Sequence, residues 1–401
     1  MRIAMISEHA SPLATLGGVD AGGQNTHVAE LSAALAAEGH ELRVYTRRDG
    51  ELPEVVPLGD GVEVVHVPAG PAGPLSKDEL LPHMGAFAEW LAADWRDTWK
   101  PDVAHAHFWM SGLATVTASR DVGVPVLQTY HALGSVKRRH QGAADTSPAQ
   151  RIGYEIALGK AVDRVVVQCQ DEVAELVRMG IPRPRMALVP SGVNTERFAP
   201  AGPAVPRVPG MARILTVARL VERKGIEDLV RALPQVPKAE LVVVGGPPAG
   251  DMAEDPYACK LGALARRCGV EDRVRLAGAV PAHEMPAWYR SADLLAATPW
   301  YEPFGLTVLE AMACGVPVVA SAVGGLVDTV VDGVTGDLVV PRDPAGLART
   351  VRRLLADDTR RISYGAAACD RAVHSYAWPR IARRLASVYA AVAGAPAEAV
   401  A

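Results

Sequence analysis

Two carboxylates flank a short predicted helix in the string Trp-Tyr-Glu-Pro-Phe-Gly-Leu-Thr-Val-Leu-Glu-Ala-Met-Ala-Cys-Gly-Val-Pro-Val-Val-Ala-Ser, residues 300–321. Pro303 and Gly305 make residues 302–305 a loop. From Leu306 to Ala313 the spacing of Leu306, Leu309 and Ala313 predicts a helix. Gly315 closes it, Pro317 prevents its continuation, and 316–320 is an apolar run suited to a strand covered on both faces. The first turn of such a helix has unpaired N–H groups at its positive end, which bind a phosphate or a hydroxyl without help from side chains. Glu302 before it and Glu310 on it can accept hydrogen bonds from sugar or ribose hydroxyls. Either Glu alone reads as a solvated surface residue, whereas the whole string reads as a ligand site.

Other residues could serve the same ligand. Arg219 and Lys224, in Ala-Arg-Leu-Val-Glu-Arg-Lys-Gly (218–225), follow a predicted strand. They read either as a pair of solvated charges or as a fork and a point charge converging on a diphosphate. Gly17-Gly18-Val19-Asp20-Ala21-Gly22-Gly23-Gln24-Asn25 lies between the first strand and a helix. It is a surface loop or a place where backbone approaches a ligand, and it is not a dinucleotide fingerprint because Gly-x-Gly-x-x-Gly is absent. His131 stands at the carboxyl end of a predicted strand; a lone histidine is more often structural. His105 and His107 project to one face of a strand, a spacing that a metal can use. With no acidic or cysteine partner near in sequence, no metal is assigned.

Those residues need a scaffold of parallel strands. Strand-like segments recur at 2–7, 41–46, 62–68, 102–107, 125–130, 164–168 and 186–190, with helix patterns at 26–38, 77–97 and 171–179 between them. A Pro-rich stretch, 198–210, interrupts the alternation and reads as a semi-rigid linker. Strands then resume at 213–218, 240–244, 274–276, 294–298, 317–320 and 337–340. This is an α/β chain of two Rossmann-like parallel-sheet domains, expected to face a central cleft where ligands bind at strand carboxyl ends. The domains are expected at 1–197 and 211–377. Residues 378–392 form an amphipathic helix with Ile381, Leu385, Val388 and Tyr389 on one face, and the small residues from Gly394 to Ala401 are expected to fray.

The string Glu-Pro-Phe-Gly-Leu-Thr-x-x-Glu-Ala, with Ala-Cys-Gly-x-Pro-Val-Val-Ala after it, resembles the signature of the GT-B fold retaining glycosyltransferases of family 4. The resemblance implies a donor site in the second domain. Glu302 would hold donor-sugar hydroxyls, and Glu310 the nucleotide ribose. The backbone of Phe304, Gly305 and Leu306 would meet the diphosphate, and Gly245 the nucleotide. Residues 218–225 resemble the family's Gly-Arg-Leu-x-x-x-Lys-Gly motif, with Ala218 in place of Gly; Arg219 and Lys224 would neutralise the leaving diphosphate. Gly23 becomes the phosphate-facing backbone of the glycine loop. Thr129-Tyr130-His131 matches a Thr-x-His segment whose histidine orients the sugar and is not a general base. His105-Ala106-His107-Phe108-Trp109 lines the acceptor side. Asn25, Lys77, Phe108, Trp109 and Lys137 are the acceptor candidates, and the 190–194 turn with Asn194 resembles the family's interdomain turn. A terminal helix returning onto the first domain, here 378–392, is also a family feature.

The first domain most resembles the branch of inositol-phosphate glycosyltransferases and sucrose-phosphate synthases, through residues 20–25, 75–80 and 105–112. Phe108 replaces a tyrosine common there, and Ala132 a threonine of the inositol-phosphate enzymes. Each change removes a hydroxyl that could bind an acceptor phosphate. The implied reaction moves a hexose from a nucleoside diphosphate, UDP being commonest, to a hydroxyl of a cyclitol, sugar or natural product. It retains configuration and needs neither a cofactor nor a metal, the departing phosphate taking the acceptor proton. A nucleotide-sugar epimerase and a non-catalytic nucleotide-sugar binder are the rival readings.

Composition agrees with this class. The 401 residues exceed one typical core. The apolar fraction is 49%, the charged fraction 21% and the net charge -4, which offers nucleic acid or anionic membranes no general attraction. Five scattered cysteines suggest reduced thiols in a cytoplasmic protein. No signal segment or membrane span is predicted. The partners are a nucleotide sugar and a small acceptor, and a homodimer is compatible with the reading.

Overall fold

The computed structural model describes residues 1–14 and 22–394. Residues 15–21 of the glycine loop, including Gly17, Gly18 and Asp20, and the tail 395–401 lie outside the described residues. The chain forms two compact units, Met1–Ser191 with Trp378–Ala401, and Gly192–Ala377.

In the first unit the strands are β1 (Arg2–Ile6), β2 (Glu41–Arg47), β3 (Val55–Gly59), β4 (Val62–Val67), β5 (Val103–His107), β6 (Val126–Thr129), β7 (Arg164–Val167) and β8 (Met186–Leu188). They form one sheet in the order β3-β4-β2-β1-β5-β6-β7-β8. All neighbours pair in parallel except β3 with β4. Strand alternation splits the core into two layers. Ala4, Ile6 and Tyr45 face one cluster with Phe87, Leu91 and Trp95. Ile3, Met5, Leu42 and Val44 face another with Leu31, Leu35, Ile381, Leu385 and Tyr389. The second layer is therefore closed by the terminal helix Trp378–Ala393, whose Tyr389 hydroxyl bonds His105 Nδ1 at 2.7 Å.

The second unit holds β9 (Ala212–Val217), β10 (Ala239–Val244), β11 (Val274–Gly278), β12 (Leu294–Ala297), β13 (Val318–Ser321) and β14 (Gly336–Val339). The order is β11-β10-β9-β12-β13-β14, with every pairing parallel. Ile214, Leu241 and Val243 pack on one side, and Leu215, Val242 and Val244 on the other.

Three expectations change in detail. The strand β3 was not predicted; Pro57 and an alternation of exposed and half-buried residues place it at a sheet edge, where proline is tolerated. The helix expected over 77–97 begins only at Met84, after 3-10 turns at Lys77–Glu79 and Leu81–His83; Pro82 cannot donate an interior helical hydrogen bond. The 198–210 stretch is no free linker. Phe198 is buried in the second unit's core, Val205 N–H bonds Ala287 O at 3.1 Å, and Arg290 donates to the carbonyls of Ala199 and Pro203. The division falls earlier, at Ser191. Among the described residues no helix is long and apolar enough to cross a membrane.

Candidate functional site

In the second unit the residues gather at the carboxyl ends of β9 and β12. After β9 the chain makes a 3-10 turn, Glu222–Lys224, and reverses at Gly225 with φ 66°. A Cβ at Gly225 would lie 1.9 Å from the Thr298 carbonyl oxygen, so only glycine lets this turn rest on the end of β12. Thr298 Oγ1 donates to Gly225 O at 3.0 Å, and Trp300 N–H to Arg223 O at 2.8 Å. The stitching brings the Lys224 ammonium onto the Glu302 carboxylate in an ion pair whose side chains are 19% and 16% exposed.

The two charges are not equally comfortable. Burial pushes Glu302 up, but Lys224, with Arg223 and Arg219, outweighs it and holds the carboxyl below its ordinary value. Burial lowers Lys224, Glu302 opposes this, and Arg223 and Arg219 add to it. Three cations thus act on one carboxylate, an excess of positive charge suited to a diphosphate. Arg223 also lies 5.3 Å over the Tyr301 ring.

The Glu302 loop is held from behind by Gly324 and Gly325, which the sequence reading did not single out. Gly325 N–H donates to Glu302 O at 3.0 Å, and a Cβ on Gly324 would stand 2.0 Å from that oxygen. A Gly-Gly pair in the turn shortly after β13 was the available signal. The helix Leu306–Ala313 forms as expected, capped by Gly305, to whose carbonyl the Val308 amide returns at 3.0 Å. Glu310 is half-buried and accepts 2.6 Å from the hydroxyl of Tyr289, another residue that was missed. Tyr289 carried no local signal, since it reads as one more core aromatic on a short helix. Phe304 is buried near Tyr376, so only its backbone could meet a ligand. Gly245 spends its N–H on Gly278 O at 2.9 Å.

In the first unit, the turns just after β5 and β6 hold residues with left-handed backbone, Phe108 at φ 81° and His131 at φ 58°. Non-glycine residues there are strained, and such strain clusters at functional sites. His107 Nδ1 and His131 Nε2 are 2.9 Å apart, and His107 Nε2 is 3.4 Å from Met5 Sδ. Sulfur only accepts, so the proton of His107 belongs on Nε2. His131 then donates from Nε2 and keeps a lone pair on Nδ1. Burial drives both histidines well below their ordinary pKa, and neighbouring imidazoles add to the effect. Burial pushes His27 and His105 down to about 3. The cluster is a set of neutral rings.

His27, His107 and His131 each offer a nitrogen within 4.8 Å of the others, spacing that a metal could use. However, the His107 and His131 ring centroids are 5.1 Å apart for a 2.9 Å N···N contact. That is an end-on hydrogen bond, with the two nitrogens aimed at each other rather than at a shared ion.

Beside this cluster a small concavity is lined by Lys77, Leu81, Phe108, Trp109, Ser147 and Arg151 among others. Lys77, Phe108 and Trp109 were expected on this side. Lys137 stands behind it, paired at 2.9 Å with both Ser147 Oγ and Asp145 Oδ1, and thereby fixes the Ser147 wall. Asn25 acts as a brace: Oδ1 accepts from Gly22 N–H and Nδ2 donates to Ser11 O, each at 2.9 Å. Gly23 opens the helix Gly23–Ala37 and is exposed. Asn194 caps its own turn by accepting from Arg197 N–H at 2.9 Å.

Arg151 and Glu155 were missed. Arg151 donates to Glu155, Ser147 and the Ala132 carbonyl, and its guanidinium lies 5.0 Å over Phe108. Glu155 accepts from Gly134 N–H, and the Tyr130 hydroxyl donates to Glu155 O at 2.6 Å. This clamp holds the 130–134 loop that carries His131. An Arg and a Glu four residues apart on a helix usually form a solvated pair, so spacing alone gave no warning.

Residues 205–371 match the family described as Glycosyl transferases group 1, and residues 21–197 match Glycosyltransferase Family 4. The chain is 39% identical to D-inositol 3-phosphate glycosyltransferase of Xylanimonas cellulosilytica, over 97% of this chain and 96% of that protein. It is 36% identical to D-inositol 3-phosphate glycosyltransferase 2 of Catenulispora acidiphila, over 97% and 94%. Among solved structures, sucrose-phosphate synthase from Thermosynechococcus elongatus superposes with a TM-score of 0.88 at 31% identity, covering 98% of each chain. Anabaena HepE in complex with UDP and glucose superposes with a TM-score of 0.75 at 21% identity, covering 98% of this chain and all of that one, a likeness of fold.

Proposed function

The chain belongs to the family 4 glycosyltransferases of GT-B fold, and from that premise we propose that it moves a hexose from a nucleoside diphosphate, UDP first, to a hydroxyl of a small acceptor, with retention and without a metal. The observation that carries this reading is the Lys224–Glu302 pair at the foot of the helix Leu306–Ala313, with Arg219 and Arg223 acting on it. In the reaction Arg219, Lys224 and the first amides of that helix, from Phe304 to Leu306, meet the charge that develops on the departing diphosphate. Glu302 turns from Lys224 to the sugar hydroxyls as the ammonium turns to phosphate. Glu310, held by Tyr289, takes the ribose, while the backbones of Gly23 and Gly245 border the nucleotide diphosphate. His131, kept neutral by burial and oriented by His107, accepts a sugar hydroxyl through Nδ1.

The acceptor enters among Lys77, Phe108 and Trp109, with Asn25 and Lys137 bracing the walls. The named relatives favour a cyclitol or sugar. Two features favour an acceptor without phosphate. Phe108 and Ala132 offer no hydroxyl, and the three guanidinium nitrogens of Arg151 already donate to Glu155, Ser147 and Ala132.

A donor and acceptor panel tests this. UDP-, GDP-, ADP- and dTDP-sugars are incubated with inositol 3-phosphate, free inositol or fructose 6-phosphate in EDTA, and nucleotide release and product configuration are followed. The expected result is an α-linked product from one α-configured donor, strongest with a neutral acceptor and lost in Glu302→Ala and Arg219→Ala. An inverted product, dependence on added metal, or preference for inositol 3-phosphate would each defeat the corresponding part.

A further inference from the structure

In the structure Lys224 and Glu302 are each other's partner, and in the transferase reading each is also a ligand of the donor. The Lys224 ammonium lies on the Glu302 carboxylate, and both side chains are mostly buried. Arg219 and Arg223 act on the same carboxylate, which is thus the counter-ion shared by three cations. The main chain on both sides of the pair is pinned. Gly325 N–H holds Glu302 O at 3.0 Å, and Trp300 N–H holds Arg223 O at 2.8 Å. Just after Lys224, Gly225 rests on Thr298 so closely that a Cβ would stand 1.9 Å from the Thr298 carbonyl oxygen. What can change is side-chain rotation between staggered wells. The pair opens when the two side chains turn apart and closes when they turn back.

Two occupants of this site open the pair at different cost. A nucleoside diphosphate takes the ammonium and gives the carboxylate nothing, because ionised phosphate oxygens only accept hydrogen bonds. Glu302 is then a mostly buried charge without its nearest counter-ion, and the phosphate oxygen bared by loss of the sugar brings further negative charge towards it. A nucleoside diphosphate sugar takes the same ammonium but brings hydroxyl donors, whose hydrogen bonds to a carboxylate are of the stronger, charge-assisted kind. One ligand therefore leaves a buried acceptor unsatisfied and the other does not, which is how a polar site discriminates. Cations alone could not rank the two in this order, since they attract most strongly whichever ligand carries more negative charge, and that is the product.

We propose that Glu302 gates the diphosphate site, closing on Lys224 against free nucleoside diphosphate and inorganic anions and opening for the intact donor. The inference rests on the transferase reading above and gives Glu302 a second role besides holding the sugar. While the donor is bound, its sugar hydroxyls keep the carboxylate turned away and the ammonium stays on phosphate. Once the sugar has left with the acceptor, the carboxylate loses its donors, returns to Lys224 and displaces the nucleoside diphosphate. Arg219 and the amides from Phe304 to Leu306 serve donor and product alike, so they supply affinity, and the pair ranks donor above product.

Calorimetric titration with UDP, UDP-glucose and inorganic pyrophosphate tests the gate in wild type, Glu302→Gln and Glu302→Ala, with folding checked by thermal melting. If the donor panel identifies another nucleotide sugar, that compound, its nucleotide and its free hexose take the places of UDP-glucose, UDP and glucose. With the carboxylate gone, UDP and pyrophosphate should bind about tenfold more tightly or better in both variants, while UDP-glucose gains nothing, so the preference for donor over product disappears. A second measurement needs only wild type. Saturating free glucose should offer Glu302 its hydroxyls and tighten UDP about threefold or more, an effect absent from both variants. UDP and pyrophosphate affinities that stay within about threefold of wild type in both variants, or weaken, would overturn the proposal, as would glucose that leaves wild-type UDP affinity unchanged. Failure of the gate is distinguishable from failure of the transferase reading, in which wild type and variants alike bind no nucleotide sugar of the panel.

Discussion

Replacing Lys224 with methionine separates the structural role of one ammonium from the chemical role proposed for it. The first is structural. Lys224 neutralises Glu302, and both side chains are mostly buried, at 19% and 16% exposed. Losing one partner of a fully buried pair costs about 3–5 kcal/mol, whereas a hydrogen bond to a charged group contributes about 1.5–3 kcal/mol. Partial exposure places the expected loss near the lower figure, about 2 kcal/mol. The second is the proposed chemical role. Removing one preorganised donor from a developing charge typically lowers kcat by about 10²–10³. The two losses part company in the double variant Lys224→Met/Glu302→Gln, which no longer buries an unpaired carboxylate. It should recover most of the stability and none of the turnover.

The pH dependence follows from the same pair. In the wild type the depressed Glu302 contributes stability above its unfolded value of 4.5, and that contribution is lost as pH falls through the folded pKa. Without Lys224, burial dominates, the carboxyl rises, and its ionisation becomes a cost above that value. The destabilisation by Lys224→Met should therefore be larger at pH 8 than at pH 5. Urea unfolding at both pH values and nucleotide release at saturating donor measure the two effects. If Lys224→Met keeps kcat within threefold of wild type, or if the double variant regains turnover along with stability, the assignment of Lys224 to the diphosphate is wrong.

Other perturbations probe the supports. Gly324→Ala forces a methyl toward the Glu302 carbonyl and adds about 1–2 kcal/mol of left-handed backbone strain, so donor affinity measured calorimetrically should fall at least tenfold; unchanged affinity would mean that the Glu302 loop moves freely. Burial raises Glu172 from 4.5 to about 7, against a backbone hydrogen bond from Gln168. The folded protein then binds more protons than the unfolded one between those values, and stability falls as pH rises from about 4.5 to 7. Glu172→Gln should remove that slope in urea titrations and raise stability at pH 8. His27 and His105, pushed down to about 3, should show no titration above pH 4.5 in histidine NMR, and an inflection near 6 in either would disprove the neutral cluster.

What could be read from the sequence, and what could not, follows from the range of the interactions involved. The helix Leu306–Ala313, its flanking glycines and the strand after it are specified by neighbours within four or five residues, and these formed as the pattern predicted. All the predicted strands formed for the same reason: apolar runs between turn residues are a local code. The edge strand β3 escaped because Pro57 and exposure, its proper marks at an edge, also mark a loop. The residues that hold the site are linked over long separations that no period encodes. Glu302 meets Gly324 behind it and Lys224 in front; His131 meets His107 across two adjacent strand ends; Glu310 meets Tyr289 from another helix.

The same contrast explains why the missed residues are mostly supports. The residues proposed to meet a ligand, such as Glu302, Lys224 and Phe108, stand in or beside loops of unusual composition, which is why the sequence singles them out. A residue that holds such a loop looks like ordinary core or an ordinary ion pair, as Tyr289, Arg151 and Glu155 do. Local pattern fixes where a ligand can be met, whereas burial of charge decides which protonation state meets it. In this protein both halves use the second rule: Lys224 and Glu302 are each other's counter-ion, while His107 and His131 stay neutral because burial penalises a charge and the neighbouring imidazoles oppose one.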